Sequence, residues 1–158
     1  MLSNPRATLL PSGHYAPDFH LLDQHGQSHN LEKDAGSQGT VLLFFSSFWL
    51  PGDLALLNVY AQAYTQLQEA GLSVMAISGI NWETLYHLAK RIQCPYPILF
   101  DPCCKISKYY KTMLIPKFVT GRAVYGINPQ KRIAFAQKQA SPQQILQSLK
   151  DGFFSSQG

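Results

Sequence analysis

The chain has 158 residues, 46% of them hydrophobic and 12% aromatic, which excludes a disordered polymer and fits one domain large enough to fold without staples. Thirteen Lys and Arg against nine Asp and Glu leave a net charge of +4, yet only 14% of residues are charged. With no basic block, nucleic-acid binding is not expected.

The longest apolar run near the front, Val41–Phe45, is far shorter than the roughly 20 residues of a membrane span. Residues 1–13 lack the apolar centre of a secretory signal. A cytosolic protein with no membrane contact is expected. Three cysteines, Cys94, Cys103 and Cys104, are an odd number and do not form a disulfide scaffold, so they are expected as thiols. No cofactor or metal is implied.

In chain order, residues 1–12 read as a loose lead-in, broken by Pro5 and Pro11. The domain itself spans residues 13–151, and residues 152–158 read as a frayed tail. Ala16–Leu22 and Ser28–Leu31 flank the turn signal Gln24-His25-Gly26-Gln27 and predict a hairpin. Val41–Phe45 is continuously apolar, the pattern of a strand covered on both faces. From Pro51 to Ala70, Leu54, Leu57, Ala61, Tyr64 and Leu67 recur at three- and four-residue steps, predicting one helix with one buried stripe. Pro51 near its start and Gly71 beyond its end suit those positions.

Leu72–Ser78 is the next strand, and Asn81–Gln93 a helix with Asn81 as its cap. Tyr96–Phe100 is a short strand and Ser107–Lys111 a helical turn. Arg122–Ile127 and Arg132–Gln137 are strands joined by the turn Asn128-Pro129-Gln130-Lys131. Ser141-Pro142 opens a last helix through Leu149, with Ser as cap and Pro in the first turn. Alternating strands and helices call for right-handed crossovers and a largely parallel centre, while the hairpins add antiparallel strands. The expected fold is an α/β thioredoxin-like three-layer sandwich, a mixed central sheet with an extra N-terminal β-hairpin.

Several segments, in order, resemble the alkyl hydroperoxide reductase and thiol-specific antioxidant family, the peroxiredoxins. They are Ala16-Pro17-Asp18-Phe19, Val41–Phe45, Pro51-Gly52, Ala76-Ile77-Ser78, Tyr96–Pro102, Arg122–Asn128 and Ser141–Leu146. The resemblance implies an antioxidant oxidoreductase class. In that family a thiolate at the start of the first long helix attacks a peroxide oxygen and becomes a sulfenic acid. An Arg and the helix N-terminus stabilise the thiolate, while a Pro and a Thr orient the peroxide and shield the site. Laid on this chain, the family's Pro position falls on Ser46, its Thr position on Leu50 and its Cys position on Asp53. Only the Arg position is matched, by Arg122. No cysteine lies between Met1 and Gln93. The resemblance therefore implies a degenerate member, with peroxidase activity lost, that binds or scaffolds.

On its own chemistry, Asp53 near a helix start either caps free N–H groups, helps hold an anion or small ligand, or serves in acid–base chemistry. A direct Asp53–Arg122 ion pair is expected. At an effective dielectric of about 20 it is worth roughly 4 kcal/mol before desolvation is subtracted. Cys103-Cys104 is either a redox pair, labile if closed into a strained disulfide, or one thiol packed inward and one outward. A thiol oxidoreductase using Cys103 or Cys104 would need an exposed thiol of low pKa. His14, His20, His25 and His29, with Asp18 and Asp23, fit no metal-ligand spacing and read as a solvated hairpin. Trp49, Tyr60 and Tyr64 line a charge-poor helix that either completes the core or meets a second copy or partner protein.

Overall fold

The computed structural model describes residues 9–46, 51–114 and 119–155. Leu21–Leu22 (β1) and Ser28–His29 (β2) form the expected hairpin, much shorter than the segments that predicted it. A four-residue helix, Leu31–Asp34 (α1), follows, capped by the Asn30 side chain. Then come Gly39–Phe44 (β3), Pro51–Gln62 (α2), Tyr64–Glu69 (α3) and Leu72–Ser78 (β4). Trp82–Ile92 (α4) leads to Ile98–Phe100 (β5), a 3-10 turn at Pro102–Cys104, and Lys105–Tyr109 (α5). Met113–Leu114 (β6) and Val119–Thr120 (β7) pair as a separate small ribbon that no sequence signal marked. Ala123–Ile127 (β8), Ile133–Gln137 (β9) and Pro142–Lys150 (α6) complete the described elements.

Among the described residues the main sheet has the order β2-β1-β5-β4-β3-β8-β9. Strands β3, β4 and β5 are parallel, and β8, β9 and β1 are antiparallel to their neighbours. The chain steps β3 to β4 to β5 in one direction across the sheet. Right-handed crossovers then put α2 and α4 on the same face. That face carries Val41, Leu43, Leu57, Leu67, Leu85, Leu88 and Ile145. The opposite face carries Leu42, Phe44, Phe19, Leu31, Ile106 and Tyr110. Every residue of β3 is buried, as its apolar run requires. The result is the thioredoxin-like α/β sandwich with a mixed sheet. No helix among the described residues is long and apolar enough to cross a membrane.

Local signals at the helix ends work as read. Asn81 accepts from Thr84 N–H, and Ser141 forms a reciprocal capping box with Gln144. The long helix differs. It bends at Ala63, where φ is −93° and ψ is 2°, separating α2 from α3. Its buried stripe begins with Asp53, Leu56, Leu57 and Tyr60 and resumes at Leu67, while Leu54, Ala61 and Tyr64 are only half-buried. Apolar residues surround α2 on nearly all sides, so spacing alone does not select the inward face.

The described parts of the expected lead-in and tail, residues 9–12 and 152–155, depart from expectation. Leu10 is 5% exposed, and its N–H donates to the Tyr125 hydroxyl at 3.0 Å. Gly13 N–H bonds Ile133 O and Ala16 N–H bonds Lys131 O, both at 2.8 Å, so this stretch runs along β9. Phe154 is 2% exposed, not frayed. It lies on Gly126 of β8, where a Cβ would collide with its ring, and against Gly39 of β3, where a Cβ would crowd the ring and strike Ile127 O. Those two glycines open a slot in the sheet surface for one aromatic ring.

Candidate functional site

Three elements converge on Asp53. It stands in the first turn of α2, is fully buried, and faces the end of β3 and the start of β8. Its Oδ2 accepts from Ser46 N–H at 3.2 Å and from Ser46 Oγ at 2.6 Å. Its Oδ1 accepts from Arg122 Nε at 2.8 Å. The expected ion pair is therefore formed, and Ser46 joins it. The guanidinium lies over Gly52, where a Cβ would strike it, so a larger residue at 52 would have to displace the Arg122 head from its place beside Asp53. The Arg122 side chain is 29% exposed against 1% for Asp53, so the pair is a buried carboxylate under a guanidinium that reaches solvent. Leu50 and Trp49 lie outside the described residues.

Such a site holds fixed charge. It has no nucleophilic sulfur in its described portion, and the short Ser46 bond keeps the carboxylate oriented. Its partly exposed Arg122 can attract an anion.

A second polar network lies nearby in the fold and carried no sequence signal strong enough to mark it. Asp101 is fully buried. Its carboxylate accepts from Ile106 N–H, Ser107 N–H and Ser107 Oγ at 2.9, 2.8 and 2.8 Å. Ser107 Oγ meets Thr120 Oγ1 at 2.9 Å, which also accepts from Gly79 N–H at 3.1 Å. The Asp101-Pro102 pair before a helical turn was the one available hint, since Asp commonly satisfies free N–H groups there.

Cys104 is 4% exposed and Cys103 is exposed. Both occupy left-handed backbone, φ 55° and 58°. Cys104 Sγ lies 3.7 Å from Thr120 Oγ1, and burial pushes its thiol up from the ordinary value. A reactive thiol needs the opposite shift, so Cys104 lacks the character a redox pair demands. Cys94 and Cys103 form no disulfide. Cys94 is held by its contact with Tyr96 O at 3.3 Å, and burial raises it to about 11.

The histidine-rich hairpin is not simply solvated. His14, His20 and His25 are exposed, but His29 turns inward. Its Nε2 lies 2.7 Å from Asp23 Oδ2, and its Nδ1 lies 3.1 Å from Asp34 Oδ1, off the line of a hydrogen bond. Asp23 is 3% exposed and also accepts from the amides of His25 and Gln27. The tight turn brings residues 23 and 29 to one side, which strand alternation alone does not foresee. Among the described residues no group of three or more His, Cys, Asp or Glu is placed to hold a metal ion.

Tyr60, read as part of a contact face, is fully buried. Its hydroxyl donates to Ala140 O at 2.9 Å, so this ring completes the core. Tyr64 is half-buried against Tyr96, with ring centres 5.9 Å apart.

Comparison with known proteins agrees with this architecture. Peroxidoxin BcpB from Mycobacterium tuberculosis superimposes with a TM-score of 0.81 at 18% identity, covering 90% of this chain and 97% of that one. AhpC from Enterococcus faecalis gives 0.79 at 17% identity, covering 93% and 94%. At such identities the likeness speaks for the fold. In sequence, chloroplastic peroxiredoxin Q from Triticum aestivum is 30% identical over 96 residues, and that from Arabidopsis thaliana 32% over 96. Each alignment covers 61% of this chain but only 44% of the relative's length. Residues 12–136 match the AhpC/TSA family model, and with most of its length inside that match the chain belongs to the AhpC/TSA family.

Proposed function

We propose that this chain is a degenerate member of its family that binds or scaffolds and does not reduce peroxide. One observation carries the reading. At the start of α2, beside Arg122, stands a fully buried carboxylate locked at 2.8 Å to the guanidinium. A carboxylate cannot accept an oxygen atom from a peroxide and hand it on as a thiolate does. No cysteine precedes Cys94, and the buried Cys104 thiol has its pKa shifted away from reactivity.

In this reading Asp53 preserves the shape and charge of the site while removing its redox chemistry. The test is hydrogen peroxide consumption with dithiothreitol as reductant, comparing wild type with Asp53→Cys. Wild type is expected to consume none above the dithiothreitol background. The variant regains slow turnover at most, since residue 50 is a leucine without the family's hydroxyl. Rapid wild-type turnover overturns the reading.

A further inference from the structure

Next to the ion pair, the connections flanking the small ribbon and the residues after β9 line an open cleft of about 290 Å³. Leu9, Lys111, Met113, Arg122, Lys138 and Gln139 contribute to its wall. Three cationic side chains on one concavity are notable in a chain with thirteen in all. Arg122 is offset by Asp53, but Lys111 and Lys138 make no ion pair among the described residues. The cavity wall therefore carries an excess of two positive charges. The remaining wall includes Leu9 and Met113, both half-buried.

Both lysine side chains are exposed, but the Lys111 backbone is fixed. Its φ of 57° is a left-handed value rare for a residue with a side chain. It is held there by Thr112, which is 4% exposed. Thr112 binds Ser107 O through both its N–H, at 2.8 Å, and its Oγ1, at 3.0 Å. Backbone in such a region persists only when its surroundings impose it.

We propose that this cavity binds an organic phosphate monoester. A monoester carries close to two negative charges near neutral pH and three acceptor oxygens, matching the two uncompensated lysines beside Arg122. Its organic body lies against Leu9 and Met113. A volume near the lower end of small-molecule pockets, roughly 300 Å³, takes one ring or a short chain. The proposal rests on reading Arg122 as a binding group outside any peroxide cycle.

Calorimetric titration with phenyl phosphate at low salt tests it, with inorganic phosphate and benzoate as the head-group and monoanion arms. Phenyl phosphate is expected to bind at least tenfold tighter than either, and added salt weakens it. Lys111→Gln with Lys138→Gln lowers its affinity at least tenfold while the urea midpoint of the protein stays put. Three results overturn the site: no binding of phenyl phosphate, equal binding by benzoate or inorganic phosphate, or unchanged affinity in the double variant. Wild type that consumes peroxide yet binds phenyl phosphate breaks the functional reading and leaves the site standing. Wild type that does neither breaks the site alone.

Discussion

Asp23 and Asp53 are both buried and each organises its own corner of this molecule, and their partners differ in kind. Asp53 faces Arg122, a cation at every accessible pH. Asp23 faces His29, a cation only when protonated. The first pair ties α2 to β3 and β8 through residues 46 and 122. The second closes the β1–β2 hairpin at the sheet edge, which Trp82 also tethers by donating from Nε1 to Asp23 O at 3.1 Å. A permanent charge pair suits a site that must keep one shape. A titratable pair makes the stability of its corner depend on pH.

The largest expected effect comes from breaking the permanent pair. Arg122→Met strands a fully buried carboxylate, and removing one partner of a buried pair costs about 3 kcal/mol. The partial exposure of Arg122 puts this at the low end of that class. Urea unfolding should show the midpoint falling with the slope unchanged.

The next effect is on the hairpin. Burial pushes the Asp23 carboxyl up, but the His29 bond and the amides of Gln27 and His25 outweigh it, leaving it below the usual carboxylate range. A depressed folded pKa gives stability that is present above the unfolded value and is lost as pH falls through the folded one. Wild type should therefore lose stability as pH falls below about 4, a loss that Asp23→Asn no longer shows. Parallel stability curves for the two proteins through the acid range would dissolve the contrast with Asp53.

The smallest effect concerns Ser46. Ser46→Ala removes one hydrogen bond to Asp53 and leaves the ion pair, costing about 1 kcal/mol. A loss as large as that of Arg122→Met would shift the main support of Asp53 from the guanidinium to the hydroxyl.

Reading the chain unaided went furthest where the causes are local. Strand β4 and helices α4 and α6 follow from runs of apolar residues and from Asn81 and Ser141, whose side chains bond amides only three residues away. The Asp53–Arg122 pair was also legible, because family resemblance placed both residues at one site. The inward face of α2 was not, since Leu54, Leu56 and Leu57 are equally apolar and only the sheet beneath them chooses. The same holds for Tyr60, whose hydroxyl partner Ala140 is 80 residues away.

Period, caps and composition act between near neighbours, so a string of residues already carries them. The closing of His29 on Asp23, the seating of Phe154 over two glycines and the gathering of Lys111 and Lys138 into one cavity depend on distant segments meeting. Burial and charge compensation come into being only at that meeting, and folding in three dimensions settles them.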